Sequence, residues 1–414
     1  MTAETTLRGS SISGTMASRL CVLAGGLVTG IVTARALGPS GRGQYFAVTT
    51  AAAIIAQLSS LGLTSSNVFL GARDRARIRP LLVNSASLAA ALAVLSACVV
   101  VVWGARLAAA IGVPRAMLWA VCAIGGATLL WSLAASLLVA AERFAALNVW
   151  QVVNVLVAAV AIVACASSRG SVEQFAFASA VAATATALGL SLAIAVQSRG
   201  AMRFSPELVR LGVGFSSRAY FALVLSYLLQ RSGASLLVAA GTPAEVGQYS
   251  IASQVVDVLL IIPGSIGLVL YPFLVRRNED LWPHVRRTTL VTTASMLALC
   301  LAAALTAPII LPLVFGRGFV GSATALWGLL PSVIAYSVVS VLSQYLVTRT
   351  FSWAIVAAWA AGLGVALVTG VPLTRSYGAI GAGVSQSCGA ALVCALVLAI
   401  TYRRTGGFRG ELQR

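Results

Sequence analysis

The chain has 414 residues, of which 59% are hydrophobic and only 9% are charged, and its mean hydropathy is +0.96. Arginine alone carries the basic charge behind a formal net charge of +18, since no lysine occurs. This composition excludes an ordinary soluble globular protein, and no soluble basic segment is present that could bind nucleic acid. A bilayer core about 30 Å thick is crossed by roughly 20 apolar helical residues. We therefore predict a polytopic membrane protein.

The apolar runs follow one another along almost the entire chain and are separated by short connections. Their richness in Ala, Gly, Val and Leu favours closely packed helices over a barrel of alternating strands. The sequence thus predicts an all-α fold with about twelve transmembrane helices, at residues 16–36, 46–70, 81–103, 117–141, 146–166, 174–197, 212–239, 246–274, 288–314, 322–347, 353–371 and 379–402.

The arginines are distributed unevenly over the connections between these spans. With the N-terminus inside, 18 arginines lie in the predicted inner segments and 6 in the outer loops, at Arg42, Arg106, Arg115, Arg169, Arg317 and Arg375. Short segments rich in arginine stay on the cytoplasmic side. Both termini are therefore expected in the cytoplasm.

An internal repeat divides the spans into two sets of six. Gly43-Gln44-Tyr45 opens the second predicted span, and Gly247-Gln248-Tyr249 opens the eighth, after a turn of similar composition. An even number of helices per half predicts two parallel bundles in a V-shaped, alternating-access transporter, with the binding site between them. The predicted divisions are an N-terminal tail 1–15, a first bundle 16–198, a linker 199–211, a second bundle 212–402 and a C-terminal tail 403–414.

Enzymatic chemistry finds little support in the chain. The connections are too short for a catalytic domain, and no G-x-x-x-x-G-K-[ST] phosphate loop occurs. The seven cysteines form no C-x-x-C pair, and His284 is the one histidine, so no metal site is predicted. We expect no enzyme and no cofactor other than a coupling ion, H⁺ or Na⁺.

Several short motifs resemble those of polysaccharide exporters and Wzx-type lipid-linked oligosaccharide flippases, in the flippase and multidrug-exporter superfamily. They are Ala34–Pro39, Gly41–Tyr45, Glu245–Ala252, Ile262-Pro263, Tyr271-Pro272, Phe315–Phe319 and Leu330-Pro331. The resemblance implies a bacterial cytoplasmic membrane protein that moves a polyprenyl-pyrophosphate-linked oligosaccharide from the inner to the outer leaflet. Its partners would be that substrate, membrane lipids, and polysaccharide polymerase or glycosyltransferases of the same pathway. Many relatives carry an acidic residue after the arginine of the seventh helix, where this chain has Ser232.

Ionisable residues at bilayer depth are functional candidates, because each costs several kcal/mol unless it is paired or hydrated. Arg231 and Asp257 lie at similar distances from the turn near Pro243, so antiparallel helices could bring them together. Three interpretations stay open. The two form a structural ion pair, or Asp257 binds a coupling ion and releases Arg231 for substrate, or they do not meet.

Arg19, Arg218 and Arg231 are our candidates for binding the substrate pyrophosphate, since guanidinium groups hold phosphate oxygens in pairs. For Arg19 the alternative is a side chain that extends to the inner headgroups. Gln151, Asn154 and Gln254 are candidates for sugar contacts, or else hydrogen-bond neighbouring helices. The alternative functions are export of small molecules or drugs within the same superfamily and, with less support, a major-facilitator transporter.

Overall fold

A computed structural model describes residues 2–198, 200–276, 282–349 and 353–404. Every regular element in this part of the chain is helical, which confirms the predicted all-α fold. The helices are α1 (Thr2–Ser59), α2 (Leu63–Arg73), α3 (Ile78–Ile111), α4 (Met117–Ala140), α5 (Phe144–Ser167), α6 (Val172–Gln197), α7 (Pro206–Ala240), α8 (Pro243–Arg276), α9 (Trp282–Phe315), α10 (Ser322–Arg349) and α11 (Trp353–Arg404).

Two of these helices contain a reversal of the chain. In α11, Gly378 has φ 57° and interrupts the helical backbone. Gly362 lies against the carbonyl oxygen of Gly389, although a straight helix would separate them by about 40 Å. Gly370 likewise lies against the hydroxyl of Ser385. The two arms of α11 are therefore antiparallel, and each is long enough to cross a bilayer.

The same reversal occurs in α1, at Gly38 (φ 64°) followed by Pro39. The buried guanidinium of Arg42 donates a hydrogen bond to the hydroxyl of Thr33, on the other side of the break. A straight helix would place these residues about 13 Å apart along its axis, too far for this contact. Arg42 also lies 5.7 Å from the ring centre of Tyr45 and so fixes the turn from within.

Neighbouring helices show that the arms of α1 run side by side. Gly25 packs against Val155 of α5, and Ala52 packs against Gly125 of α4. Val155 and Gly125 lie about 18 and 24 Å from the short connection between α4 and α5. Gly25 and Ala52 are therefore at similar depth in the bundle, as a helical hairpin requires.

Ten stretches of the described chain are long and apolar enough to cross a membrane. The two longest, Ser18–Ser59 and Trp353–Arg403, contain the reversals and count twice, which gives twelve crossings. This agrees with the predicted number. The structure differs at the predicted connections after residues 36 and 371, where each turn is a break at one glycine. It also interrupts the predicted span 46–70, because Leu61 (φ 47°) and Gly62 (φ 74°) separate α1 from α2.

The chain divides into two compact units, Met1–Tyr220 and Phe221–Arg414. The division falls inside α7, beyond the linker predicted at 199–211, whose first residue lies outside the described part. Within the first unit, the Tyr220 hydroxyl donates a hydrogen bond to the carbonyl of Leu58. The predicted N-terminal tail is helical from Thr2 onward, and the predicted C-terminal tail lies outside the described residues after Arg404.

The segment between α6 and α7 is fastened to the first unit. Asn84 is buried and exchanges two hydrogen bonds with the backbone of Ser205, each of 2.9 Å. Arg79 donates to the carbonyls of Ala195 and Gly200, at 2.9 and 3.0 Å. This segment is therefore part of the folded unit.

The sequence repeat corresponds to a repeated set of contacts. In the first unit, Gln44 approaches the carbonyl of Gly112, in the α3–α4 connection, at 3.5 Å. The neighbouring Tyr45 hydroxyl shares a 2.8 Å hydrogen bond with Ser179 of α6, the last helix of that bundle.

The second unit repeats both contacts. The Gln248 side chain lies against Gly321, in the α9–α10 connection. The Tyr249 hydroxyl donates a 2.9 Å hydrogen bond to Gln386, in the second arm of α11. Each Gly-Gln-Tyr thus ties the second crossing of its unit to the third connection and to the sixth crossing, as an internal duplication predicts.

Candidate functional site

The structure brings Arg231 and Asp257 together in the second unit. Arg231 Nη2 lies 3.1 Å from Asp257 Oδ2, between the neighbouring helices α7 and α8. The Arg231 side chain is 22% exposed and the Asp257 side chain 49% exposed. Of the three interpretations of the sequence, the one in which the residues do not meet is therefore excluded. The Asp257 carboxylate is thus only half-buried within the pair.

Tyr227 provides a second contact for the arginine. Its ring centre lies 5.7 Å from the Arg231 guanidinium carbon, one helical turn earlier in α7. A cation within about 6 Å of an aromatic face is attracted by the ring quadrupole. Arg231 is therefore held by an anion and an aromatic ring, and the ring would still restrain it if Asp257 were neutralised.

The helix that carries Asp257 is fixed by Tyr249, whose side chain is fully buried. The phenol reaches from α8 past Gly233 of α7 to Gln386 of α11. A Cβ on Gly233 would collide with the Tyr249 hydroxyl and lie 2.8 Å from the carbonyl oxygen of Ala382. The glycine two residues after Arg231 therefore creates the space in which three helices meet.

The three arginines predicted to bind pyrophosphate lie in different units. Arg19 is half-buried in α1 of the first unit. Arg218 lies in α7 of the same unit, and its side chain is outside the described residues. Arg231 lies in the second unit, in the pair with Asp257. The binding role of these arginines stays a prediction.

The predicted sugar contacts have varied surroundings. Asn154 of α5 accepts a 2.7 Å hydrogen bond from the Thr186 hydroxyl of α6, so it makes a helix–helix contact. Gln151 and Gln254 are half-buried. Gln254 precedes Asp257 by three residues and therefore shares its region of the α8 surface.

Sequence reasoning missed the aromatic and amide partners of the pair. Tyr227 could have been found from its spacing of four residues from Arg231, which places both on one helix face. Gln386 gave no such signal, because it is 137 residues away from Tyr249 in the chain. Among the described residues, no group of three or more His, Cys, Asp or Glu side chains could hold a metal ion.

A family model described as "Polysaccharide biosynthesis protein" matches residues 10–277. No curated protein sequence matches the chain.

Solved structures share the fold over almost the full length at low sequence identity. A lipid II flippase, MurJ, in an inward closed conformation superposes with a TM-score of 0.79 at 11% identity, covering 94% of this chain and 87% of that chain. An inward-facing multidrug resistance MATE family transporter of the MOP superfamily gives 0.72 at 15% identity and covers 94% of both chains. A MOP superfamily transporter from Pyrococcus furiosus gives 0.65 at 14% identity, covering 95% of this chain and 94% of that one. The resemblance seen in the short motifs is thus confirmed for family and fold.

Proposed function

Because the chain belongs to the polysaccharide biosynthesis protein family, we propose that it is a flippase that moves a polyprenyl-pyrophosphate-linked oligosaccharide from the inner to the outer leaflet. The family supports a saccharide substrate, and the fold shared with a lipid II flippase supports a lipid-linked one. The observation that carries the mechanism is the accessible Arg231–Asp257 pair within helices long enough to span the membrane. Transport rather than enzymatic turnover is the proposed activity.

The Asp257 carboxylate holds Arg231 away from substrate until an ion takes the place of the arginine. A proton or Na⁺ at the Asp257 carboxylate removes the charge that holds the guanidinium, and Arg231 then binds a pyrophosphate oxygen instead. An unpaired arginine at membrane depth costs about 3 kcal/mol on insertion scales, so release is coupled to arrival of the anionic substrate. Tyr227 keeps the free guanidinium near its place during the exchange.

Arg19 and Arg218 are the further arginines proposed to bind pyrophosphate, and Gln151, Asn154 and Gln254 the residues proposed near the sugar. The lipid tail stays in the bilayer while the sugar crosses a hydrated path by alternating access. The protein works in a bacterial cytoplasmic membrane with both termini inside, and enzymes that polymerise or extend the saccharide are its proposed pathway partners.

Small-molecule export is the second candidate, since the fold is also that of a multidrug transporter. An organic cation would have to bind beside the positive charge of Arg231 once it had displaced this arginine from Asp257, which makes the pair a poor site for a cationic substrate. The alternative for these two residues is a purely structural ion pair. A transport assay distinguishes this role from a pair that a coupling ion opens.

The test is translocation of a fluorescent polyprenyl-pyrophosphate oligosaccharide in proteoliposomes, with a pH gradient, a Na⁺ gradient or none. Wild-type protein should move the lipid faster with one of the gradients. Asp257→Asn should lose that response while its membrane level stays normal, because the amide can neither bind the ion nor hold Arg231 by charge. Arg231→Ala should lower the rate with and without a gradient.

The matched control is Glu142→Gln, which removes a carboxylate from the exposed Arg75–Glu142 pair of 3.7 Å. It should leave both the rate and the gradient response unchanged. A wild-type gradient response in Asp257→Asn would reduce the pair to a structural role. Export of a cationic dye without any movement of the lipid-linked sugar would reject the flippase assignment.

A further inference from the structure

A groove of about 270 Å³ lies in the first unit between the ends of α4, α5 and α6. Its walls are Ala146 and Trp150 of α5 and Leu190 and Ala193 of α6. The alanines keep the helices from filling the space. The Trp150 ring packs against the backbone of α6 at Gly189, where a Cβ would lie only 3.0 Å from the ring, closer than ordinary van der Waals contact. The groove is thus an apolar slot with an aromatic side.

The groove opens between two apolar surfaces that face away from the protein. On α5 these exposed residues recur on one helix face, at Val149, Leu156, Val160 and Val163. On α6 they do so at Val181, Leu188, Leu192 and Val196. Exposed apolar stripes of this length on membrane-spanning helices contact lipid hydrocarbon. The slot is therefore continuous with the acyl-chain region of the bilayer.

A cation lies at one end of the slot. Arg143 lines it and donates a hydrogen bond to the Gln197 side chain, on the last residue of α6. The adjacent Glu142 pairs with Arg75 instead. Within the described residues, no carboxylate lies within 4 Å of the Arg143 guanidinium, and four of its five N–H donors are left for an outside anion.

The depth of the slot fits a lipid standing in the membrane. Trp150 lies about 10 Å below Arg143 along α5, and Leu190 about 10 Å from Gln197 along α6. The cationic end belongs to the face of the unit that carries the arginine-rich connections, which the charge distribution places at the cytoplasmic surface. Basic pockets between helices on that side suit anionic headgroups.

We propose that this groove is a binding site for an anionic phospholipid of the cytoplasmic leaflet. The headgroup phosphate bonds to Arg143, and one acyl chain lies along Trp150 and Ala193. The charge selects the anionic lipid, and the apolar slot selects an acyl chain over a free phosphate. The site is separate from the Arg231–Asp257 pair, which lies in the other unit.

The test is native mass spectrometry of the detergent-purified full chain with phosphatidylglycerol or with phosphatidylcholine of the same acyl chains. Wild-type protein should retain phosphatidylglycerol preferentially. Arg143→Ala should weaken that retention about fivefold, as expected for one arginine near an anionic headgroup. Arg106→Ala, which removes an exposed arginine of α3 outside the groove, should not change it.

A second variant tests the apolar part of the site with the charge left in place. Ala193→Phe fills the slot, so it should lower phosphatidylglycerol retention. Free inorganic phosphate should not displace the lipid from wild-type protein or from Ala193→Phe. Equal retention of the two lipids by wild-type protein would overturn the proposal, as would an Arg106→Ala effect equal to that of Arg143→Ala. Displacement of bound lipid by the polyprenyl-pyrophosphate substrate would instead assign the groove to the substrate tail and overturn the phospholipid assignment.

Discussion

The close approach of α7 to α8 and α11 at Gly233 predicts a specific cost of adding one methyl group. In Gly233→Ala, the new Cβ meets the Tyr249 hydroxyl, lies 3.0 Å from the ring carbon that bears it, and lies 2.8 Å from the Ala382 carbonyl oxygen. The carbonyl belongs to helix backbone and cannot rotate away, so the helices must separate by a few tenths of an ångström. Overpacking of this kind costs about 1–3 kcal/mol.

Alanine also favours a helix over glycine by about 1 kcal/mol, which offsets part of that cost. The comparison with Gly364→Ala removes this contribution, because a Cβ on Gly364 of α11 meets no atom within 4 Å. The difference between the two variants is then the overpacking cost alone. For a unit of this size, 1 kcal/mol shifts Tm by about 2–4 °C, so Gly233→Ala should melt about 2–12 °C below Gly364→Ala.

The assay is thermal unfolding of both variants in the same detergent, followed by intrinsic tryptophan fluorescence. Tyr249→Phe tests the origin of the strain, because it removes the hydroxyl that the new Cβ would meet. The same change leaves the Gln386 side-chain oxygen without its hydrogen-bond donor. Alone it should cost about 1–3 kcal/mol. Combined with Gly233→Ala, the loss should be smaller than the sum of the two. Equal Tm values for the two glycine variants, or strict additivity, would refute the reasoning.

Two more predictions concern the chain reversals and the segment before α7. Gly378→Ala should lower Tm more than Gly38→Ala, because both have positive φ but only at Gly378 does a Cβ also meet a side chain. A backbone strained in this way costs about 1–3 kcal/mol. Asn84→Leu removes both hydrogen bonds to the backbone of Ser205, so trypsin should cleave after the exposed Arg203 several times faster in limited proteolysis of the folded protein.

Each of these has an internal control. The side chain that a Cβ on Gly378 would meet is that of Glu245. Glu245→Ala should therefore restore part of the Tm lost in Gly378→Ala, and no restoration would mean that backbone strain alone is responsible. Asn67→Leu removes another buried amide of the first unit, bonded to Ser85 and Leu133. If it accelerates the same cleavage equally, general destabilisation and not local release explains the result.

The number and order of the helices were predictable because a helix needs about twenty mainly apolar residues to cross a bilayer core, whether it faces lipid or other helices. The predicted span 117–141 and the observed α4, Met117–Ala140, differ by one residue. The turns were less predictable. The hydropathy of the sequence indicates a polar stretch around Arg42 and hence a connection between two spans. Only the contact of Arg42 with Thr33 in the structure shows that the chain reverses at one glycine. Likewise, no hydropathy signal marks the break at Gly62.

For the site, sequence reasoning could place Arg231 and Asp257 at one depth because consecutive antiparallel helices share a turn. Whether they touched depended on helix rotation, which the structure supplies as a 3.1 Å contact. The Tyr249–Gln386 bond joins helices far apart in sequence, so no spacing rule could find it. The lipid groove was also invisible, because it depends on what small residues leave empty.

The single-glycine reversals limit how the length of this protein can vary. One residue inserted beside Gly38 or Gly378 would rotate the following arm by about 100°, since a helical turn has 3.6 residues. Every side chain of that arm would then leave its neighbour. Insertions and deletions among relatives should therefore be absent from these two points and collect in true connections, such as residues 112–116 between α3 and α4.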